Sequence, residues 1–494
     1  MGNERCACHQ AEQSQGLSRR ELLRVSGLGF GSLALGYLLN DQPLKAASTE
    51  NSAFGDLKPR QSHFAPQAKA IIQLMQNGGP SQMDLFDPKP ELTKRNGQPH
   101  PLEVEVFSPN KNKNILLASP FEFKRAGQSG MEFSEIIPHL SSVADDLCLV
   151  RSMYTEHNNH PEGLIMMQTC KIFAGRPGMG SWVSYALGTE NQNLPAYIVL
   201  RDPRGYNGNG KMLWSSGFLP ALFQGVEFNS SGAPVYHLSP ERPLPPGIQR
   251  QNLDLLAKLN AEHQTKHSGE SELEARIQNF ELAARMQLSA SEVLDLSKET
   301  DATKKLYGID NPVTAGYGTR CLMARRLIEA GVRFVQVFPP IDVQSNPWDQ
   351  HDHLKEDLSK VASQTDQPAA GLLKDMKSRG LLDSTIVMWT GEFGRLPITE
   401  GGSGRDHNRH AFSLFMAGAG FKKGLIYGAT DEFGYKAVTN RVSVPDLHAT
   451  IYYLLGLDHD RLTYLHHGIP ETPTDAKVNG AKIVSDLLKS PPKA

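Results

Sequence analysis

Thiols, long apolar runs and excess positive charge are all scarce in this chain of 494 residues. Five cysteines are present, Cys6, Cys8, Cys148, Cys170 and Cys321, with no Cys-x-x-Cys pair. That excludes a disulfide framework and a thiolate zinc site, and leaves the last three as inert buried thiols. Lysine and arginine total 51 against 53 acidic residues, a formal charge of −2. A nucleic-acid partner is excluded by that balance, because phosphate binding needs a basic footprint. No apolar run is long and Gly-poor enough for a convincing membrane span. What remains is ordinary: 39% apolar and 21% charged residues, enough for one large α/β domain or two to three smaller ones.

The N-terminus stands apart. "LSRRELLRVSGLGFGSLALGYLL" (17–39) sets Arg19 and Arg20 before a mildly apolar, Gly-rich stretch, and "LKAAS" supplies small residues for cleavage after Ala47. This is the pattern of a twin-arginine export signal over residues 1–47. It implies the translocase as a transient partner, a periplasmic or cell-envelope destination and no membrane span after processing. It also suits a protein that folds around a metal before export. Residues 48–66, polar with scattered proline, are expected to be a linker.

Five short apolar runs then predict buried strands: "AKAIIQLMQNGG" (68–79), "DLCLVRSM" (146–153), "PAYIVL" (195–200), "VRFVQVF" (332–338) and "STIVMWT" (384–390). Runs without clean alternation fit strands covered on both faces, as in parallel sheets. Helical patterns lie between them, with Leu273, Ile277, Phe280, Ala284 and Leu288 on one face. "SVPDLHATIYYLLGL" (443–457) offers Ser443 as N-cap, Pro445 in the first turn and Asp446 near the positive end of the helix dipole. Helix-to-strand units in series imply a doubly wound α/β domain over 67–480, elaborated at about 201–270, with a frayed tail at 481–494. Ligands of such folds bind beyond the carboxyl ends of the strands.

The polar clusters follow those strands. Asn77, Ser81, Asp84 and Asp87 come after the first, and Glu156, His157, Asn158, Asn159 and His160 after the second. Asp349, His351, Asp352 and His353 follow the fourth; Glu392 and Arg395, then Asp406, His407 and His410, follow the fifth. Any one of these is ordinary loop chemistry. Together, imidazoles beside carboxylates describe a site for Zn²⁺ or Mn²⁺, or for Mg²⁺ or Ca²⁺ where oxygen dominates. There are ligands enough for two ions, the design that clamps both oxygens of an in-line ester hydrolysis. Asp349, His351, His353, Glu392, His407 and His410 are the candidate ligands, with Asp84 or Asp87 completing the set. Arg405 or Arg395 would meet the substrate anion, since a guanidinium pairs bidentately with oxyanions.

The ordered set "NGGPSQMDLFDPKPEL", "WDQH", "GEFGRLP", "GRDHNRHAFSLFMAGAGFKKGLIYGATDEFG" and "VPDLHATIYYLLGL" resembles the DUF1501 family. That family is of unassigned function, is commonly exported by the twin-arginine route, and is similar to the alkaline phosphatase and sulfatase superfamily. The resemblance implies an alkaline-phosphatase-like α/β fold, a mixed, largely parallel sheet between helices, with two metals at the strand ends. The superfamily's Asp-x-x-x-His ligand pair matches Asp349 and His353, with Asp349 and His351 as a rival pairing; its third histidine matches His407 or His410. Its Asp-His pair falls on Glu392 and Phe393, of which only Glu392 can bind metal. His448 falls on a structural helix. Asn77 stands where the superfamily keeps an aspartate, and no Cys-x-Pro-x-Arg exists, which disfavours a formylglycine sulfatase. The nucleophile position falls on His160, as ligand first, or nucleophile or general acid, with Thr155 the nearby hydroxyl. Two functions follow: a metal-dependent hydrolase of small-molecule or glycan phosphate or sulfate esters, or a catalytically degenerate relative that binds a glycan or an envelope partner.

Overall fold

The computed structural model describes residues 56–109, 112–231, 235, 245, 247–266, 271–341 and 345–492; residues 1–47, expected from the sequence to be an export signal, lie outside them. Nine strands among these residues form one sheet. In chain order they are β1 (Ala70–Met75), β2 (Leu147–Tyr154), β3 (Tyr197–Leu200), β4 (Val226–Phe228), β5 (Phe334–Val337), β6 (Thr385–Thr390), β7 (Phe412–Ala417), β8 (Leu425–Tyr427) and β9 (Val442–Ser443). Their spatial order is β8-β2-β7-β6-β1-β5-β3-β4, with β9 beside β2. Every pairing is parallel except those of β7, which runs antiparallel to both β2 and β6.

All six residues of β1, and all six of β6, are buried, as expected for strands sheathed on both faces. The sheathing helices include α1 (His160–Thr169), α2 (Met179–Leu187), α3 (Ile248–Lys266), α4 (Ser271–Val293), α5 (Ala315–Glu329), α6 (Leu354–Ser378) and α7 (Val444–Leu454). The few polar groups inside the sheet satisfy one another. Tyr197 Oη donates to Gln336 Oε1 at 2.7 Å, and Gln336 Nε2 to Gln73 Oε1 at 3.1 Å, a relay across β3, β5 and β1. Helix α7 opens with a capping box: Ser443 accepts from the Asp446 amide, and Asp446 accepts from that of Ser443. His448, inside α7, is buried and its Nε2 donates to the Met167 carbonyl at 2.9 Å, a structural hydrogen bond.

Three details depart from the sequence expectation. The described part of the linker is docked: Leu57 is buried, and Arg60 N donates to the Leu187 carbonyl at 3.0 Å. The C-terminal segment is docked too, with Leu487 and Leu488 fully buried and Lys489 N bonded to the Gly420 carbonyl. In α4 the buried contacts come from Ile277, Leu282 and Met286, while Phe280 is 67% exposed. Helical periodicity found the helix, but a helix edging onto the domain buries a narrower and rotated stripe.

The topology gathers the loops. Because β1, β2, β3, β5 and β6 are mutually parallel, the segments after them leave one rim of the sheet. The antiparallel β7 enters from that same rim, so the residues before it, 404–411, meet the segments after β1, β2, β5 and β6.

Candidate metal centre

β1 ends in Asn77-Gly78-Gly79-Pro80. Gly78 has φ +120°, and a Cβ there would sit 2.6 Å from the Trp348 backbone nitrogen. Only glycine permits that approach. Trp348 N donates to the Asn77 carbonyl at 3.2 Å, and its indole Nε1 to Gln76 Oε1 at 2.9 Å. This buried anchor fixes the next residue, Asp349, over the turn. Beside it, Gly394 and Arg395 pair antiparallel with Asn408 and His407, which ties the segment after β6 to the one before β7.

Three imidazoles then face Asp349. His351 Nε2 lies 2.9 Å from Asp349 Oδ1, and His407 Nε2 lies 3.3 Å from the same oxygen. His160 Nε2 lies 3.2 Å from Asp349 Oδ2 without a hydrogen bond between them. The Nε2 atoms of His351 and His407 are 2.9 Å apart. Each ring is held from behind by its other nitrogen: His160 Nδ1 by Glu392 Oε1 at 2.6 Å, His407 Nδ1 by the Asn158 carbonyl at 2.7 Å, and His351 Nδ1 by Glu400 Oε2. Glu392 Oε1 also accepts the Gly78 amide at 2.8 Å. An acceptor behind Nδ1 selects, in a neutral ring, the tautomer whose Nε2 carries a lone pair, so with the rings deprotonated three lone pairs and a carboxylate would converge.

A cation would resolve that arrangement. One ligand atom each from His160, Asp349, His351 and His407 fall within 4.8 Å of one another. A tetrahedral ion with bonds of about 2.0–2.1 Å spaces its ligands roughly 3.3 Å apart. His160 Nε2, 3.2 Å from Asp349 Oδ2, is buried without a hydrogen-bond partner, a polar atom that a positive ion would satisfy. Proton affinities report the same field. Burial alone would lower the His160 pKa, but the contacts with Asp349 and Glu392 push it up to about 9. Burial likewise opposes a charge on His351, and Asp349 and Glu400 raise it despite Arg395. His407 falls to about 4, through burial first and then the charges of Arg395 and His160, against the pull of Asp349. Burial disfavours the Asp349 carboxylate, yet Arg395 and the three histidines hold it well below the usual carboxylate range.

Arg395 is a clamp within this geometry. Its Nη2 meets Asp349 Oδ1 at 2.5 Å, Nε donates to the Gly79 carbonyl at 2.9 Å, and Nη1 to the Arg405 carbonyl at 2.9 Å. The substrate role read for Arg405 does not fit its placement. Its guanidinium is buried against Asp84, Nε to Oδ2 at 2.7 Å and Nη2 to Oδ1 at 3.1 Å, and Ser81 Oγ also bonds that carboxylate. Asp84 is thereby occupied as well. Asp87 is tied to Thr430, Lys89 and Arg151. His410 pairs with Glu105 at 2.9 Å, and the His353 amide donates to Ser403 Oγ. None of Asp84, Asp87, His353 and His410 belongs to the four-residue group, and Glu392 stands behind His160 instead.

Glu400, the Asn158 carbonyl and Asp406 escaped the sequence reading of the ligand set. Glu400 carries no motif signal, and a carbonyl carries none at all. Asp406 was noted only as a polar neighbour. With His351 and Glu400 it forms a second close group, and its carboxylate accepts the amides of Phe107, Ser108 and His407, each at 2.8 Å.

The chain belongs to the family described as a protein of unknown function, DUF1501, which matches residues 68–488. Among solved structures it is similar to a phosphonate monoester hydrolase from Silicibacter pomeroyi, at 12% identity and TM-score 0.33, covering 86% of this chain and 78% of that one. It is also similar to a sulfatase from Pseudoalteromonas sp., at 11% identity and TM-score 0.34, covering 83% and 70% of the two chains. A protein of the alkaline phosphatase superfamily from Vibrio parahaemolyticus matches at 12% identity and TM-score 0.31, covering 81% and 70%. No curated protein matches the sequence. No helix among the described residues is long and apolar enough to cross a membrane.

Proposed function

We propose that the chain is an exported metal-dependent hydrolase of phosphate or sulfate esters. The observation that carries this reading is the convergence of three Nε2 atoms and one carboxylate on the rim where four loops meet. His160, Asp349, His351 and His407 would hold the ion. Their imidazole-rich donor set suits zinc better than manganese, magnesium or calcium, which favour oxygen ligands. When bound, such an ion polarises an ester oxygen and acidifies water. The chain's own residues do the positioning. Glu392, Glu400 and the Asn158 carbonyl orient the rings, and Arg395 keeps Asp349 charged and in place. Export is read from Arg19 and Arg20; replacing both with lysine should leave the protein in the cytoplasm.

The test is elemental analysis of the purified chain together with a panel of aryl phosphates and sulfates. A stoichiometric divalent metal and turnover lost in Asp349→Ala are expected. Absence of metal, or no turnover by the metal-replete protein, overturns the hydrolase. A second reading, a degenerate binder, is favoured by Asn77. Its side chain is committed to the Ser345 carbonyl, Asn346 and Asn207 rather than to the centre. Metal without turnover is the outcome that selects it.

A further inference from the structure

Residues 102–109 form a strap beside the centre, and one of its exposed apolar side chains reaches a candidate ligand. Phe107 is 44% exposed, yet it stacks on His407 with ring centroids 5.0 Å apart and planes at 28°. Phe393, fully buried, also contacts the His407 ring, at 4.7 Å. Phe393 is already present to pack the imidazole, so an exposed phenyl is not needed for that purpose.

The strap is fixed around Phe107. The amides of Phe107 and Ser108 both donate to Asp406 Oδ2 at 2.8 Å. Three residues earlier, Val104 is buried in a small apolar cluster with Leu116, Leu396 and Ile398. The Glu105 amide is fixed as well, donating to Tyr435 Oη at 3.0 Å. Asp406 adjoins His407 in sequence, so the phenyl ring is held in register with a candidate ligand. A rigid aromatic face at the edge of a polar centre is the design of a pocket that orients a cyclic ligand by stacking.

We infer that Phe107 forms a subsite for a ring, aromatic or pyranose, that carries the ester oxyanion. This rests on the hydrolase reading for its biological sense, but ring recognition can be measured without turnover. The probes are two matched pairs titrated calorimetrically into the metal-replete full chain: phenylphosphonate against methylphosphonate, and galactose 4-sulfate against inorganic sulfate. The ring-bearing member of at least one pair should bind about three- to tenfold more tightly, and the pair that shows it distinguishes an aryl from a sugar substrate. Phe107→Ala should bring that ratio close to one, whereas Phe107→Tyr should retain it. Leu102→Ala, on the same strap and 65% exposed, should also retain it. The inference is overturned if wild type prefers neither ring, if no probe binds, or if the preference survives in Phe107→Ala. A Phe107-dependent preference without hydrolysis of any aryl ester would sustain the subsite and remove only the hydrolase.

Discussion

Two aspartate–arginine pairs lie near one another in this fold and behave as opposites. Asp84 and Arg405 are both fully buried, and each completes the other, with Ser81 and the Leu396 carbonyl taking up further bonds. Asp349 and Arg395 begin the same way, but the carboxylate also faces three imidazoles, and the buried Nε2 of His160 has no hydrogen-bond partner. A closed pair serves the fold. A pair faced by three imidazoles is suited to receive a cation.

The comparison breaks most readily at Asp349. Asp349→Asn keeps the shape and removes the charge, so bound metal and activity should fall on the order of a hundredfold or more, measured by elemental analysis and initial rates. Removing one member of the closed pair, as in Asp84→Ala, should instead cost about 3–5 kcal/mol of stability, read by urea denaturation, with metal stoichiometry intact in the folded fraction. The double variant Asp84→Leu/Arg405→Met should recover most of that loss, because an apolar pair of similar volume replaces two mutually dependent charges. Glu400→Gln tests orientation rather than ligation: metal affinity should drop about 10- to 100-fold, with little change in melting temperature. The smallest effect belongs to the half-exposed rim. Breaking the pair of His410 with Glu105 through Glu105→Gln should shift stability by less than about 1 kcal/mol and leave metal content unchanged. A loss of metal in that variant would place His410 in the centre after all.

Much of the architecture was legible because burial on both faces writes itself as an apolar run. The segments at 68–79, 195–200, 332–338 and 384–390 contain β1, β3, β5 and β6, and that at 146–153 holds all of β2 except Tyr154. The antiparallel β7, "FSLFMA", is equally apolar, but nothing local states its direction, and that direction is what delivers His407 to the rim. The site was legible as residue types after strands and no further. His351 and His353 differ by two positions, yet only the first faces Asp349; His353 takes a left-handed conformation as it opens α6. Asp84 reads like a ligand because a buried acid needs a cation, and whether that cation is a metal or Arg405 is a matter of distance. Glu400 stands in a segment bounded by Pro397 and the glycines at 401 and 402, and only tertiary contact sets it behind His351.

Asn158 and His407, one supporting the other, stand 249 positions apart in the sequence. Such separation makes the centre a late arrival, since closing distant contacts is the slow part of folding. A half-synthesised chain would possess His160 and nothing for it to cooperate with. Cation uptake would therefore act as a checkpoint that only a finished domain passes.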